Sequence, residues 1–341
     1  MSLTRTLVAS FSVASFLLAL PYGNAQVTDA PAPTRPANAP PHSRLITLGT
    51  VAGPVVNRFR SETASLVVVG TRVYLVDCGD GTSRQLAWSG FSPKDVDTVI
   101  FTHLHFDHVA GLGPLIGYRW VWQSSGDAPL DIYGPPGTAA YVADTLQGLS
   151  IPEGLYAAER PPGPSMRDEV RAHDVDAVVP TVIYQDADVK VTAVENSHYI
   201  TLDPAKRPKG GTRSYALRFD LPDRSIVFSG DTGPSDAVTN LARGADILVA
   251  EVGDPEMAVA SLRERLPNAG GALKSGIDHM RREHLSPGEV GLIAAKAGVK
   301  MVVLHHIGIF ADTLGDTWKY VNDVRAKFAG PVVAAKDGDE F

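Results

Sequence analysis

The segment Ile100-Phe101-Thr102-His103-Leu104-His105-Phe106-Asp107-His108 constrains this chain more than any other. An apolar run ends, and four side chains able to bind a metal follow within six residues. His103 and His105 are two apart, so extended backbone points both rings to one side. Asp107 and His108 then turn with the chain toward a second position. Imidazole with carboxylate suits zinc, and iron or manganese is also compatible. A fold that carries this segment must end a strand beside other ligand-bearing segments. A polar loop with incidental histidines would not concentrate ligand types in this way.

The rest of the chain alternates strand and helix patterns, which predicts an α/β fold. Short β-branched runs mark strands at Leu45–Leu48, Ser65–Val69, Val73–Val76, Thr98–Phe101, Val189–Val194, Ser214–Phe219, Ser225–Phe228, Ile247–Ala250 and Met301–Leu304. Helices are expected over Thr82–Trp88, Val109–Val121, Thr138–Leu149, Pro234–Ala242, Pro287–Ala297 and Thr313–Phe328. Ser286 before Pro287, with Glu289 following, reads as a capped helix start. The stretch 150–179 is rich in Pro, Gly and charge and reads as a long surface insertion.

The HxHxDH run resembles the signature of the metallo-β-lactamase superfamily, and the likeness extends over most of the chain. Leu75-Val76-Asp77-Cys78-Gly79-Asp80-Gly81 is similar to the strand-end segment that supports the histidine loop. Asn196-Ser197-His198-Tyr199, Phe228-Ser229-Gly230-Asp231-Thr232 and Leu304-His305-His306-Ile307 follow in the family's order. The resemblance implies a four-layer αββα sandwich with metals at one edge of two sheets. It implies two zinc ions, the first held by His103, His105 and His198 and the second by Asp107, His108 and His306. Asp231 would bridge them, a hydroxide between the metals would be the nucleophile, and Asp77 would orient a ligand. Other roles stay open at this point. His305 could replace His306, Asp231 could cap the helix near Pro234, and His198 could lie on the surface. Cys78 reads as a small buried residue, His42 and His173 as solvated, and His279 has no role.

His284-Leu285-Ser286 before the helix Pro287–Ala297 is similar to the ribonuclease Z-like and arylsulfatase-like branch, which implies that His284 assists the leaving group. Asp107 and His284 are thus the candidate catalytic residues. A bridging Asp231 resembles phosphodiesterase-, sulfatase- and lactonase-like members more than β-lactamases. The expected activity is metal-dependent hydrolysis of a small ester: a phosphodiester, an aryl sulfate or a lactone. A β-lactam hydrolase and a non-catalytic or redox protein on the same fold are the alternatives. With a net charge of −7 and no Lys/Arg run, no nucleic-acid partner is expected, only a small-molecule ester. A homodimer is compatible with the sequence. Tyr118, Trp120, Trp122, Tyr199 and Phe310 lie near the motifs and read as core rather than pocket.

Residues 1–25 read as a signal peptide, 26–43 as a Pro/Ala-rich linker and 44–341 as the catalytic domain. Arg5 precedes the apolar run Leu7 to Leu20, and Gly23 and Ala25 suit a signal peptidase. The run is short for a membrane span, though an uncleaved anchor is the alternative. Cys78 is the only cysteine, so no disulfide forms within the chain. A periplasmic or secreted protein, free of the membrane after cleavage, is expected. N-terminal sequencing of the mature protein should therefore read from Gln26 or close to it. An intact Met1 would overturn this expectation.

Overall fold

Strand β2 (Ala64–Val69) is buried along its whole length, a pattern that requires cover on both faces. Leu66 and Val68 enter one apolar cluster, and Val67 and Val69 enter another. The same division recurs in strand β12 (Met301–Ile307), where Val302 and Leu304 face one way and Val303 the other. This alternation is the physical origin of the layered architecture. The computed structural model describes residues 42–341 apart from 55, 123–126, 204, 206–212, 266, 267, 269 and 309–316. The expected leader 1–25, the expected linker up to residue 41 and Phe310 lie outside the described residues.

The first sheet runs in the order β1 (Ser43–Gly49), β2, β3 (Arg72–Val76), β4 (Thr98–Ile100), β5 (Leu130–Gly134) and β6 (Val170–Asp174). Its first three strands are antiparallel, and β3 to β6 are parallel. The second sheet comprises β7 (Thr181–Gln185), β8 (Lys190–Glu195), β9 (Tyr215–Asp220), β10 (Ser225–Phe228), β11 (Ile247–Val252), β12 and β13 (Val332–Ala334), neighbours in that order. From β10 to β13 the pairing is parallel.

Between the sheets lie Val67, Tyr74, Ile100, Leu217, Phe219, Val249 and Val303. Helices α1 (Thr82–Trp88), α3 (Leu112–Trp122) and α4 (Thr138–Gly148) cover the first sheet through Leu86, Leu115, Trp120 and Val142. On the second sheet α6 (Asp236–Leu241), α9 (Pro287–Ala297) and α10 (Trp318–Arg325) bring Val238, Val290, Ile293 and Val324. The result is the four-layer αββα sandwich. Glu289 accepts from the backbone N–H and the hydroxyl of Ser286 at the start of α9, as its capping pattern requires.

Several elements depart from the sequence reading. The stretch 150–179 is not an insertion outside the sheets. It holds α5 (Ser150–Ala158) and then β6, which pairs in parallel with β5 as the edge of the first sheet. β6 and β7 are half-exposed edge strands, so neither shows the apolar run of a central strand. The short helix α2 (Phe106–Val109) precedes α3 as a separate turn. Two further helices, α7 (Pro255–Arg265) and α8 (Gly271–Arg282), follow β11. Trp122 and Tyr118 are exposed rather than core, whereas Trp120 is buried.

Each sheet therefore sends parallel strands toward one edge: β3 and β4 from the first, β10, β11 and β12 from the second. Ligand-bearing residues in open α/β sheets collect outside the carboxyl ends of such strands. Asp77, His103, Asp231, Glu251 and His306 all occupy those ends. Phe219 tests the central layer. It is fully buried and meets Phe228 edge to face at 5.7 Å. Phe219→Ala should cost about 3–5 kcal/mol, read as a lowered urea midpoint. An unchanged midpoint would contradict the packing.

Candidate metal centre

Strand β4 ends at Ile100, and the chain then carries His103 and His105 across the sheet edge before α2 turns Asp107 and His108 inward. His198 arrives from the segment after β8, Asp231 from the end of β10, and His306 from the last turn of β12. These seven residues fall into two groups. His103, His105 and His198 form one; Asp107, His108, Asp231 and His306 form the other, with candidate ligand atoms in each group within 4.8 Å of one another. Asp231 stands between them. Its Oδ2 is 3.9 Å from His103 Nε2, 3.9 Å from His198 Nε2 and 3.1 Å from His306 Nε2. Its Oδ1 is 3.4 Å from His108 Nε2 without closing a hydrogen bond.

Backbone geometry explains the convergence. Gly230 has φ of 58°, and a Cβ there would lie 2.4 Å from the Tyr215 carbonyl oxygen, so the turn before Asp231 requires glycine. His306 also has a positive φ of 42°. The β11–β12 register slips at this point, with Glu251 opposite His305 and Val252 opposite Ile307. That bulge turns His306 toward the centre. His305 instead points between the two sheets, 3.2 Å from Ser65 Oγ on β2, and burial lowers its pKa to about 3. Asp231 does not cap α6; Ser235 does, through its side chain to the Val238 N–H.

The supporting contacts are specific. Asp77, at φ of 58°, accepts from His108 Nδ1 (2.9 Å), Thr102 N (2.8 Å) and Thr102 Oγ1 (2.8 Å). It thereby fixes the His108 ring with Nε2 facing inward. His198 Nδ1 meets the Glu283 carbonyl at 3.2 Å, which turns its Nε2 inward as well. Gly53 N–H donates to Asp107 Oδ2 at 2.9 Å. A Cβ on Gly53 would lie 2.1 Å from Asp107 Cβ.

The donor set fits divalent cations. Buried His103 Nε2, His108 Nε2 and Asp231 Oδ1 make no hydrogen bond. Polar atoms so placed normally have a partner. Burial holds His103 and His198 well below the usual imidazole range and lowers His105 to about 4. They are thus neutral, the form that binds metal. Burial would raise Asp231, but His306 and His108 outweigh it and hold the carboxyl well below its usual range. Burial likewise opposes charge on His306, yet Asp231 and Asp107 raise its pKa to about 10. Positive charge among these carboxylates is therefore favoured.

A second constellation borders the first. His284 Nδ1 donates to Glu251 Oε2 at 2.7 Å. Glu251 also accepts from the Thr232 N–H, a contact tying it to the segment that carries Asp231. Burial works against the charged His284 ring, but Glu251 outweighs it and raises the pKa. Burial also raises Glu251 against the pull of His284, so the pair holds its proton more firmly than either group alone. A chamber walled by Val252, Pro255, Ala258 and Met280 opens beside them.

Sequence reading missed Glu251, Glu283, Gly53 and His279, each a single residue in an unremarkable segment. His279 has a place after all, with its ring 5.3 Å from that of His198 and 4.9 Å from that of His284. His173 is not simply solvated; it meets Asp131 at 2.8 Å and stacks on Tyr133. His42 is exposed, and Cys78 is buried with its thiol pushed up to about 12 by burial. Tyr199 borders the centre, its ring 5.3 Å from that of His105.

Comparison with known proteins agrees with this geometry. A family model described as "Beta-lactamase superfamily domain" matches residues 72–307, more than half of the chain. A Ribonuclease Z of Mycobacterium avium is 29% identical over 299 residues, covering 86% of this chain and 95% of the relative. The metallo-β-lactamase fold protein YhfI from Bacillus subtilis superposes with a TM-score of 0.62 at 20% identity, covering 89% of this chain and 99% of its own. Human tRNase Z, short form, gives 0.60 at 21%, covering 87% and 98%. These findings overturn the expected partners, a small-molecule ester and no nucleic acid, because the relatives are named for RNA cleavage. Net charge misled because it sums the whole surface. Cations bound at one edge can reverse the local field that a phosphate meets.

The close approach of Gly53 to Asp107 is directly testable. Gly53→Ala should displace the Asp107 carboxylate and lower metal content from about two ions per chain toward one, measured by elemental analysis with far-UV circular dichroism unchanged. Full occupancy in this variant would count against Asp107 as a ligand.

Proposed function

Because the chain belongs to the β-lactamase superfamily, in its ribonuclease Z-like branch, and is a metal-dependent hydrolase of ester bonds, we propose that it cleaves phosphodiester bonds of a nucleic-acid strand. The observation that carries this reading is the pairing of two ligand groups about Asp231 with the Glu251–His284 pair beside them. His103, His105 and His198 would hold one cation, Asp107, His108 and His306 the other, and Asp231 both. Zinc suits this mixture of imidazole and carboxylate. Two bound cations lower the pKa of water and stabilise charge on phosphoryl oxygens.

The chain's own residues supply the remainder. Asp77 and Gly53 hold His108 and Asp107 in place. His284, kept protonated by Glu251, presents Nε2 to the departing oxygen and donates a proton to it. Met280 and Ala258 wall the space on that side. The reading is supported by the sequence likeness to a relative named Ribonuclease Z.

The test uses protein loaded with zinc, a short RNA and bis(p-nitrophenyl) phosphate. Wild type should cleave both, and chelation should abolish both. His284→Ala should keep its metals and lose about 10²–10⁴-fold in kcat on RNA. Its loss should be smaller with nitrophenolate, which leaves without protonation. Equal losses on both substrates would remove His284 from this role. No cleavage of either substrate by the wild type would sink the phosphodiester reading.

A further inference from the structure

Two imidazoles converge at the border of the metal centre, and only one of them has been given a task. His279, on α8, lies 3.2 Å from His284, Nε2 to Nε2. Each ring is backed by a buried carboxylate: His279 Nδ1 donates to Glu283, and His284 Nδ1 donates to Glu251. Glu283 is itself fixed, accepting from the backbone N–H and the hydroxyl of Thr201 in the segment after His198. The His279 side chain retains 29% exposure, against 3% for that of Glu283. A ring anchored from behind by a buried carboxylate and open in front is built for contact with a ligand.

We propose that His279 is a substrate-binding residue that holds a phosphoryl oxygen next to the departing oxygen at His284. The inference rests on the phosphodiester reading above. With a hydrogen on each Nδ1 and one between the two Nε2 atoms, all three contacts of the pair are satisfied. The pair then acts as a donor, which suits an anionic oxygen. Neighbouring oxygens of one phosphate can part the two nitrogens; with one further proton taken up from solvent, each Nε2 carries a hydrogen and donates to one oxygen. Placement agrees with this. His284 borders both ligand groups, its ring 5.1 Å from His198 and 6.1 Å from His306. His279 borders the first group alone, its ring 5.3 Å from His198 and 6.3 Å from His105. The substrate would therefore lie across the pair, with its phosphoryl oxygens toward the first group. α8 would be the element that brings this contact to the site.

The experiment compares zinc-loaded wild type, His279→Ala and His279→Gln. Inorganic phosphate binding is followed by calorimetry, with metal content and bis(p-nitrophenyl) phosphate hydrolysis measured in parallel. His279→Ala should keep its metals, bind phosphate about tenfold more weakly, and raise KM more than it lowers kcat. His279→Gln returns an N–H donor near the same point and should recover part of the affinity. Unchanged phosphate affinity in His279→Ala would overturn the assignment. Loss of metal in both variants would overturn it too, since His279 would then support the metal centre and not the substrate. Should wild type cleave no phosphodiester yet bind phosphate through His279, the functional reading fails and this contact stands.

Discussion

The carboxylate of Asp231 is the constraint on which the site depends. It is buried at the meeting point of two sheets, within 4 Å of four imidazoles. An ionised carboxylate removed from water is costly unless positive charge answers it. Here that answer comes from His306 and His108 in the protein alone, and from cations once they are held. The surrounding geometry serves that requirement. Gly230 permits the turn that aims Asp231, the bulge at His306 brings a ring beside it, and Asp77 orients His108 from the far side.

The part of the site that could be read in the sequence is the part that local chain geometry dictates. His103, His105, Asp107 and His108 are neighbours along the backbone, so their clustering is visible before folding. His198, Asp231 and His306 were legible through their positions after apolar strands and their likeness to family motifs. Glu251 offered no such signal. It ends a buried strand, and only the pairing of β10, β11 and β12 places it against His284. Glu283 and His279 act four residues apart on and beyond one helix, yet their meaning depends on where that helix lies. Gly53 matters because Asp107, 54 residues away, comes to rest against it.

The same reasoning accounts for the fold. Central strands with two covered faces, such as β2 and β12, stand out as apolar runs. β6 and β7 lie at sheet edges with only half-buried and exposed residues, so neither carries the buried run that marks a central strand. β5 alternates buried and half-buried residues over only five positions, and its half-buried Asp131 meets Arg171 and His173 on the adjoining strand. Helices α7 and α8 contact one another, and α8 has no fully buried residue, so it is not marked by the buried face of a helix laid on a sheet. Whole-chain charge was the least informative quantity, because the interaction it was asked to exclude is decided at one small edge.

The proposed ligands are divided between the sheets. His103, His105, Asp107 and His108 come from the first; His198, Asp231 and His306 come from the second. Cations held by this set would rivet two halves that otherwise meet through an apolar layer and scattered hydrogen bonds such as that of Ser65 with His305. A ligand that binds the native state and not the unfolded chain raises stability by mass action. Metal supply would then govern how much of this protein persists as well as how fast it works. A cell deprived of that metal would lose the enzyme through turnover of loosened chains as well as through silent active sites.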